Sequence, residues 1–152
     1  MDYRKIMSRF SNAQTQVNAS YEIIARKFDL TYNALMILYI IDEDKNITQK
    51  NISDMLYLSK STVHSILLSL RKKNYVVLSE GDNKKEKFIL LTQQGELFFS
   101  TIRKETEIFE KAGLDFIGEE NVLLFLEQSE RISNYMITEA NKINLGGAQI
   151  EN

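Results

Sequence analysis

The stretch LSKSTVHSILLSLRKKN, residues 58–74, decides how the rest of the chain is read. Ser59 can accept a backbone N–H from the first turn of a helix, and Asn74 stands just past its end, where a left-handed residue is wanted. Between them Ile66, Leu67 and Leu70 fall within about 60° of the direction of Val63, while Ser61, Ser65 and Lys72 lie roughly opposite. The apolar face must bury. The opposite face is short, polar and free of carboxylates, and it offers hydroxyls and the imidazole of His64. A helix carrying such a face fits the major groove of a duplex and presents hydrogen-bonding groups to base edges. Acidic side chains in the same place would repel phosphate. An ordinary solvated helix would mix Glu with Lys there.

Upstream, Thr48 caps a short helix, QKNISDML, with Ile52, Met55 and Leu56 inward. A short helix, a tight turn and a longer capped helix make a helix-turn-helix. Downstream, YVVLS and KFILL are β-prone runs joined by the polar tip EGDNKKE, which reads as a hairpin wing. Thr31 caps a helix with Leu35, Leu38 and Ile41 inward. Thr92 caps another from Gln93 to about Phe116, striped by Leu97, Phe98, Ile102, Ile108, Phe109, Ala112 and Phe116. Gly118 interrupts, and a last helix runs from about Glu119 to Asn141 with Val122, Phe125, Leu126, Ile132 and Met136 on one face. The first helix, residues 3–28, carries Tyr3, Ile6, Met7, Phe10, Val17, Tyr21, Ile24 and Phe28 on one stripe. At roughly 40 Å it is longer than so small a domain can cover, so part of its stripe should meet a second chain. The expected fold class is mainly α with a small β-hairpin wing. Residues 30–92 would form the winged helix-turn-helix, residues 1–29 and 93–145 a helical dimerisation region, and residues 146–152 a disordered tail.

Composition narrows the function. The chain has 152 residues, 43% of them apolar, with no cysteine, no proline and one histidine. No thiolate metal site or thiol switch can form. Lone His64 has no second His or Cys with which to build a metal site or a nucleophile–base pair, and no Asp/Glu spacing suits a calcium loop. No enzyme, cofactor or metal is therefore expected. No apolar run is long enough to span a membrane, and MDYRKIMSRFSNAQ does not read as a secretory signal, so the expected location is cytoplasmic. The net charge of −2 conceals a polarised distribution. Residues 45–90 carry nine basic side chains against four acidic, a balance of +5, and the remainder of the chain carries −7. A basic middle between acidic ends suits a module that meets phosphate.

The arrangement resembles the MarR family of bacterial transcription regulators along essentially the whole chain. The resemblance is carried by LTYNALMILYII at 30–41, SKSTVHSILLSLRKKNYV at 59–76 and FILLTQQGELFF at 88–99, the last including Leu91, Thr92 and Gly95. It implies a homodimer interlocked through the first and last two helices, each subunit presenting one recognition helix and one wing to DNA. Members commonly carry arginines where this chain has Ser65 and Ser69, and a glycine where it has Asn74. The wing's Asp-x-Arg pattern appears as Asp82-Asn83-Lys84. Lysine attracts phosphate without arginine's planar, multidentate contact. Few direct base contacts and a larger share of DNA-shape readout are expected.

On this reading Ser59, Ser61, Thr62, His64, Ser65 and Ser69 contact base edges and nearby phosphates. Lys60, Arg71, Lys72 and Lys73 neutralise phosphates, Gln49 and Lys50 hold the backbone across the groove, and Lys84, Lys85 and Lys87 track the backbone or enter the minor groove. Leu68 touches a thymine methyl or, more ordinarily, packs beneath the wing. Tyr3, Ile6, Met7, Phe10, Ile108, Phe109, Phe116, Val122, Phe125, Leu126, Ile132 and Met136 form the dimer interface. Glu105, inside an apolar stripe, pairs with a partner-subunit cation, lines a ligand cavity or turns to the stripe's edge. Tyr21, Phe28, Tyr32 and Met36 lie near the junction where the family often binds small aromatic or anionic effectors, although aromatics at helical spacing are more often core. The expected function is sequence-specific repression from a pseudo-palindromic operator. The alternative is a winged-helix module that binds protein instead of DNA.

Overall fold

The computed structural model describes residues 1–80 and 87–147. The elements follow in the order α1 (Tyr3–Lys27), α2 (Tyr32–Glu43), α3 (Gln49–Leu56), α4 (Lys60–Lys72), β1 (Val76–Glu80), β2 (Lys87–Leu91), α5 (Gln93–Ile117) and α6 (Glu119–Gly147). The fold is mainly helical with one antiparallel hairpin, in which Val76 pairs with Leu91 and Leu78 with Ile89. Side-chain oxygens start the helices where expected. Thr31 accepts from Ala34 N–H at 3.2 Å, Thr48 from Asn51 N–H at 3.2 Å, Ser59 from Thr62 N–H at 3.1 Å and Thr92 from Gly95 N–H at 3.0 Å. Helix α6 continues to Gly147 instead of stopping near Asn141. No proline or left-handed residue stops it at Asn141, and Lys142 pairs with Glu139 across that point at 2.7 Å.

Three helix ends turn through left-handed residues that are not glycine: Asp29 (φ 55°), Tyr57 (φ 52°) and Asn74 (φ 58°). At Asp29 and Asn74 the closure is a Schellman motif. Asp29 N–H donates to the Arg26 carbonyl and Leu30 N–H to Ala25, and Asn74 and Tyr75 repeat the pattern on Arg71 and Leu70. These turns set the direction in which each next element leaves.

The chain divides into two compact units, Met1–Glu107 and Ile108–Asn152, with the boundary inside α5. In the first unit α2 is the central element: Ala34, Leu35, Ile37, Leu38, Ile40 and Ile41 are all buried, so most of its circumference is enclosed. Ile52, Val63, Leu67, Leu70, Val76, Ile89, Phe99 and Ile102 complete the core. Two expected inward positions point out. Met55 is 56% exposed and Ser53 is buried in its stead, because Ile52, Ser53 and Leu56 share the inner side of α3. Leu97 is 67% exposed, while Gly95, Phe99, Ile102 and Thr106 make the buried stripe of α5. Leu97 lies about half a turn away from that stripe. The core also takes in Ile47, whose carbonyl accepts from Ile89 N–H at 2.9 Å and so ties the loop before α3 to the wing.

Gly95 lets α5 begin against the end of α4. A Cβ there would lie 1.9 Å from the Tyr75 carbonyl oxygen. Thr92 secures the same junction by donating its hydroxyl to the Asn74 carbonyl at 2.6 Å. Further along, Glu105 turns to the edge of its stripe and accepts two bonds from Lys27 Nζ, at 2.7 and 2.8 Å, within the same chain. Arg103 donates to Asp42 at 2.6 Å, and buried Thr106 shares a hydrogen bond with the Tyr39 hydroxyl. In the second unit Gly118 (φ 84°) makes the corner between α5 and α6, and Asn121 Nδ2 donates to the Ile117 carbonyl at 2.9 Å.

Candidate nucleic-acid interface

Helix α4 buries Val63, Leu67 and Leu70 and exposes Lys60, Ser61, Thr62, His64, Ser65, Leu68, Ser69, Arg71 and Lys72. The chain holds no carboxylate between Asp54 and Glu80. Among the described residues Lys50, Lys60, Arg71, Lys72 and Lys87 have no acidic partner, so their charge is directed to solvent. Lys73 differs: its Nζ donates to Asp29 Oδ2 at 2.7 Å and to the Asp29 carbonyl at 3.3 Å. It anchors the end of α4 to the α1–α2 corner and is not a free phosphate contact. The Lys73 ammonium in turn holds the Asp29 carboxyl below its ordinary pKa, by hydrogen bond first and by charge second.

The helix-turn-helix is held by polar bonds as well as by its core. Half-buried Gln49 donates Nε2 to the Lys60 carbonyl at 3.2 Å, joining the start of α3 to the start of α4. That bond uses part of its donor capacity. The Ser59 hydroxyl shares hydrogen bonds with those of Ser61 at 2.9 Å and Thr62 at 2.7 Å, so the leading edge of α4 is a linked hydroxyl cluster. Ser53 donates to the Leu58 carbonyl at 2.6 Å and closes the turn.

Two shallow clefts flank α4. One, of about 240 Å³, is lined by Asp29, Leu30, Thr31, Ala34, Ser65, Ile66, Ser69, Leu70 and Lys73. The other lies beside β1 and is lined by Leu68, Arg71, Lys72, Asn74, Val76 and Val77. Leu68 thus stands at the edge of the wing and is still 42% exposed. Ser65 and Ser69 look onto the first cleft, while His64 and Leu68 lie on the other flank of the helix. Lys84, Lys85 and the Asp82-Asn83-Lys84 pattern lie outside the described residues.

The four junction residues are engaged in packing. Tyr21, Phe28 and Met36 rest half-buried against the core, and Phe28 meets Phe98 edge-on at 6.1 Å. Tyr32 donates its hydroxyl to Asn18 at 3.2 Å, and its backbone N–H donates to Glu22 at 2.6 Å. Arg26 first, and the Tyr32 N–H second, keep the Glu22 carboxyl below its ordinary pKa. Burial raises the Tyr32 phenol. Of the twelve side chains expected at a dimer interface, Met7, Phe10, Phe109 and Val122 are half-buried and the other eight are exposed, Phe116 at 93%. Among the described residues no group of three or more His, Cys, Asp or Glu could hold a metal ion, and no helix is long and apolar enough to cross a membrane.

Residues 28–85, the span from the α1–α2 corner into the wing, match the MarR family. Over this span the chain is similar to the MarR family. It is 27% identical over 117 residues to the HTH-type transcriptional regulator SarZ of Staphylococcus aureus, covering 72% of this chain and 79% of SarZ. Its fold is that of a Staphylococcus aureus MarR solved in complex with salicylate and kanamycin (TM-score 0.75, 18% identity, 90% of this chain and 93% of that one). The fold is also that of Streptococcus pneumoniae FabT solved in complex with DNA (TM-score 0.74, 17% identity, 90% and 99%). SarZ is a transcriptional regulator by its description, and FabT is solved on DNA.

Proposed function

We propose that two copies of the chain bind one pseudo-palindromic operator, each placing α4 in the major groove and its wing against the adjacent backbone. The observation that carries this reading is the exposed, carboxylate-free surface of α4, on which Lys60, Arg71 and Lys72 have no acidic partner among the described residues. Two-fold symmetry would set the recognition helices about 34 Å apart, one turn of the duplex. Ser61, Thr62, His64 and Ser65 contribute base-edge and nearby phosphate contacts, and Ser69 reaches phosphate from the cleft side. Lys50, Lys60, Lys72, Lys84, Lys85 and Lys87 neutralise phosphates. Occupying the operator blocks polymerase, so the output is repression.

The second copy is argued from α6 and the end of α5, which carry Phe116, Leu123, Leu124, Phe125 and Leu126 in water in the single chain. Four consecutive large apolar residues surround a helix on every side, and a helix apolar all round is one that becomes buried. A small aromatic or anionic effector lowering DNA affinity is part of the reading. Its support is the salicylate held by the Staphylococcus aureus MarR, together with Tyr21, Phe28, Tyr32 and Met36 half-buried near the α1–α2 corner.

The test is duplex binding as a function of salt. Affinity should fall steeply, with a log–log slope of about −0.9 per phosphate neutralised, and Lys72→Ala should make the slope shallower by about one unit per subunit bound. A flat salt profile, or no duplex binding at low salt, would remove the DNA reading and leave the protein-binding module in its place.

A further inference from the structure

Tyr57 closes α3 in the left-handed conformation and leaves 75% of its surface exposed. Neither feature serves the fold. The bonds that close the helix end are the backbone donations of Tyr57 and Leu58 to the Ser53 carbonyl, and glycine would make both without a Cβ penalty. Among the described residues the ring has no aromatic neighbour and the phenolic oxygen no hydrogen-bond partner. A bulky side chain in a disfavoured backbone region, three-quarters exposed and without a polar or aromatic partner among the described residues, points to a contact outside the chain.

Its position selects the contact. Tyr57 lies in the turn of the helix-turn-helix, two residues before the Ser59 cap and three before Lys60, so its Cα is within about 11 Å of the leading turn of α4. Gln49 brings the start of α3 to the same place through its bond to Lys60. Exposed Asp54 stands three residues before Tyr57, and the chain carries no carboxylate from there to Glu80. Among the described residues Lys50 and Lys60 have no acidic partner. We infer that Tyr57 is a phosphate-contact residue: its phenolic O–H donates to a backbone phosphate of the strand that the leading end of α4 crosses, and so sets how α4 enters the groove. This rests on the DNA-binding reading above. A neutral donor fixes register without releasing a counterion, and a backbone contact carries no sequence information.

Three variants of the full chain, measured on a labelled random-sequence duplex of about three helical turns, separate the outcomes. Tyr57→Phe keeps the ring and removes the donor; it should weaken binding about five- to tenfold with the salt slope unchanged. Tyr57→Gly should weaken it at least as much while its melting temperature stays level or rises, since the left-handed strain is relieved. Lys60→Ala serves as the control and should weaken binding with a shallower slope. If Lys60→Ala weakens binding while both Tyr57 variants bind as wild type, the phosphate contact is overturned and the DNA reading stands. If Tyr57→Gly weakens binding and Tyr57→Phe does not, the ring packs on the duplex and the donated bond is wrong. If wild type fails to bind any duplex at low salt, both readings fall together.

Discussion

Helices α2 and α6 are both rich in large apolar residues, yet the single chain treats them in opposite ways. Six of the twelve residues of α2 are buried. None of the described side chains of α6 is, and Leu123, Leu124, Phe125 and Leu126 are all at least half exposed. An apolar pattern states that a helix will be buried; it does not state by which chain. The same substitution in the two regions should therefore have different consequences. Leu38→Ala opens a cavity in a core that one chain completes, and it should cost about 2–5 kcal/mol at any protein concentration. Leu126→Ala removes a side chain already in water and should leave the stability of the first unit unchanged. It should instead raise the concentration at which dimers dissociate. Urea unfolding at two well-separated concentrations, together with sedimentation, reads both effects. A concentration-independent loss at Leu126, with sedimentation unchanged, would mean that α6 is covered from within its own chain.

Between these extremes lies the junction at Gly95, where the comparison can be sharpened. A methyl group there meets a backbone carbonyl, which cannot swing aside as a side chain does. Gly95→Ala should cost about 2–3 kcal/mol and should loosen the seam between α4 and α5 before it touches α6. Amide hydrogen exchange should show early opening at Thr92, whose N–H donates to the Tyr75 carbonyl across that seam. A variant as stable as wild type would show that α5 shifts along its axis at little cost.

How much of this was legible in the sequence follows from the same physics. The boundaries of α3 and α4 and the caps Thr31, Thr48, Ser59 and Thr92 could be read, because capping depends on one side chain and the next turn. So could the left-handed Asn74. Asp29 and Tyr57 were missed at their helix ends, since neither an aspartate nor a tyrosine announces a positive φ. Leu97 and Met55 read as inward because hydropathy alone does not choose between two apolar stripes on one helix. The ties between distant segments were invisible for a different reason. Lys27–Glu105, Asp42–Arg103, Tyr39–Thr106 and Asp29–Lys73 join residues 44 to 78 positions apart. By sequence alone Lys73 reads as a phosphate contact; its bond to Asp29 makes it part of the fold.

That last pair gives the first unit a pH dependence. The Asp29 and Glu22 carboxyls are held below their ordinary values by Lys73 and by Arg26 with the Tyr32 N–H. A carboxyl depressed in the folded state stabilises it above the unfolded pKa, and that contribution is lost as pH falls through the folded value. Stability of the α1–α2 corner should thus decline below about pH 4. Asp29→Asn and Glu22→Gln should each flatten the acid limb of a urea midpoint-versus-pH curve by as much as they lower the midpoint at neutral pH, a small amount because both groups are solvent-accessible. An acid limb identical to wild type in the double variant would assign the decline to other carboxylates.

The smallest effect separates the three left-handed helix ends from one another. Tyr57→Gly relieves a bulky side chain, and Asp29→Gly relieves strain but surrenders the bond to Lys73. Asn74→Gly does least, because asparagine already tolerates this region. It forgoes only the donation from Nδ2 to Gln94 Oε1 at 3.0 Å, which is exposed. The loss of that bond and the gain in backbone freedom nearly offset each other, so the urea midpoint should move by less than about 0.5 kcal/mol equivalent, with m unchanged. The backbone closure of Tyr75 N–H on Leu70 needs no side chain and should persist. A destabilisation above about 1 kcal/mol would instead make the Asn74–Gln94 bond a working part of the seam that Gly95 holds closed.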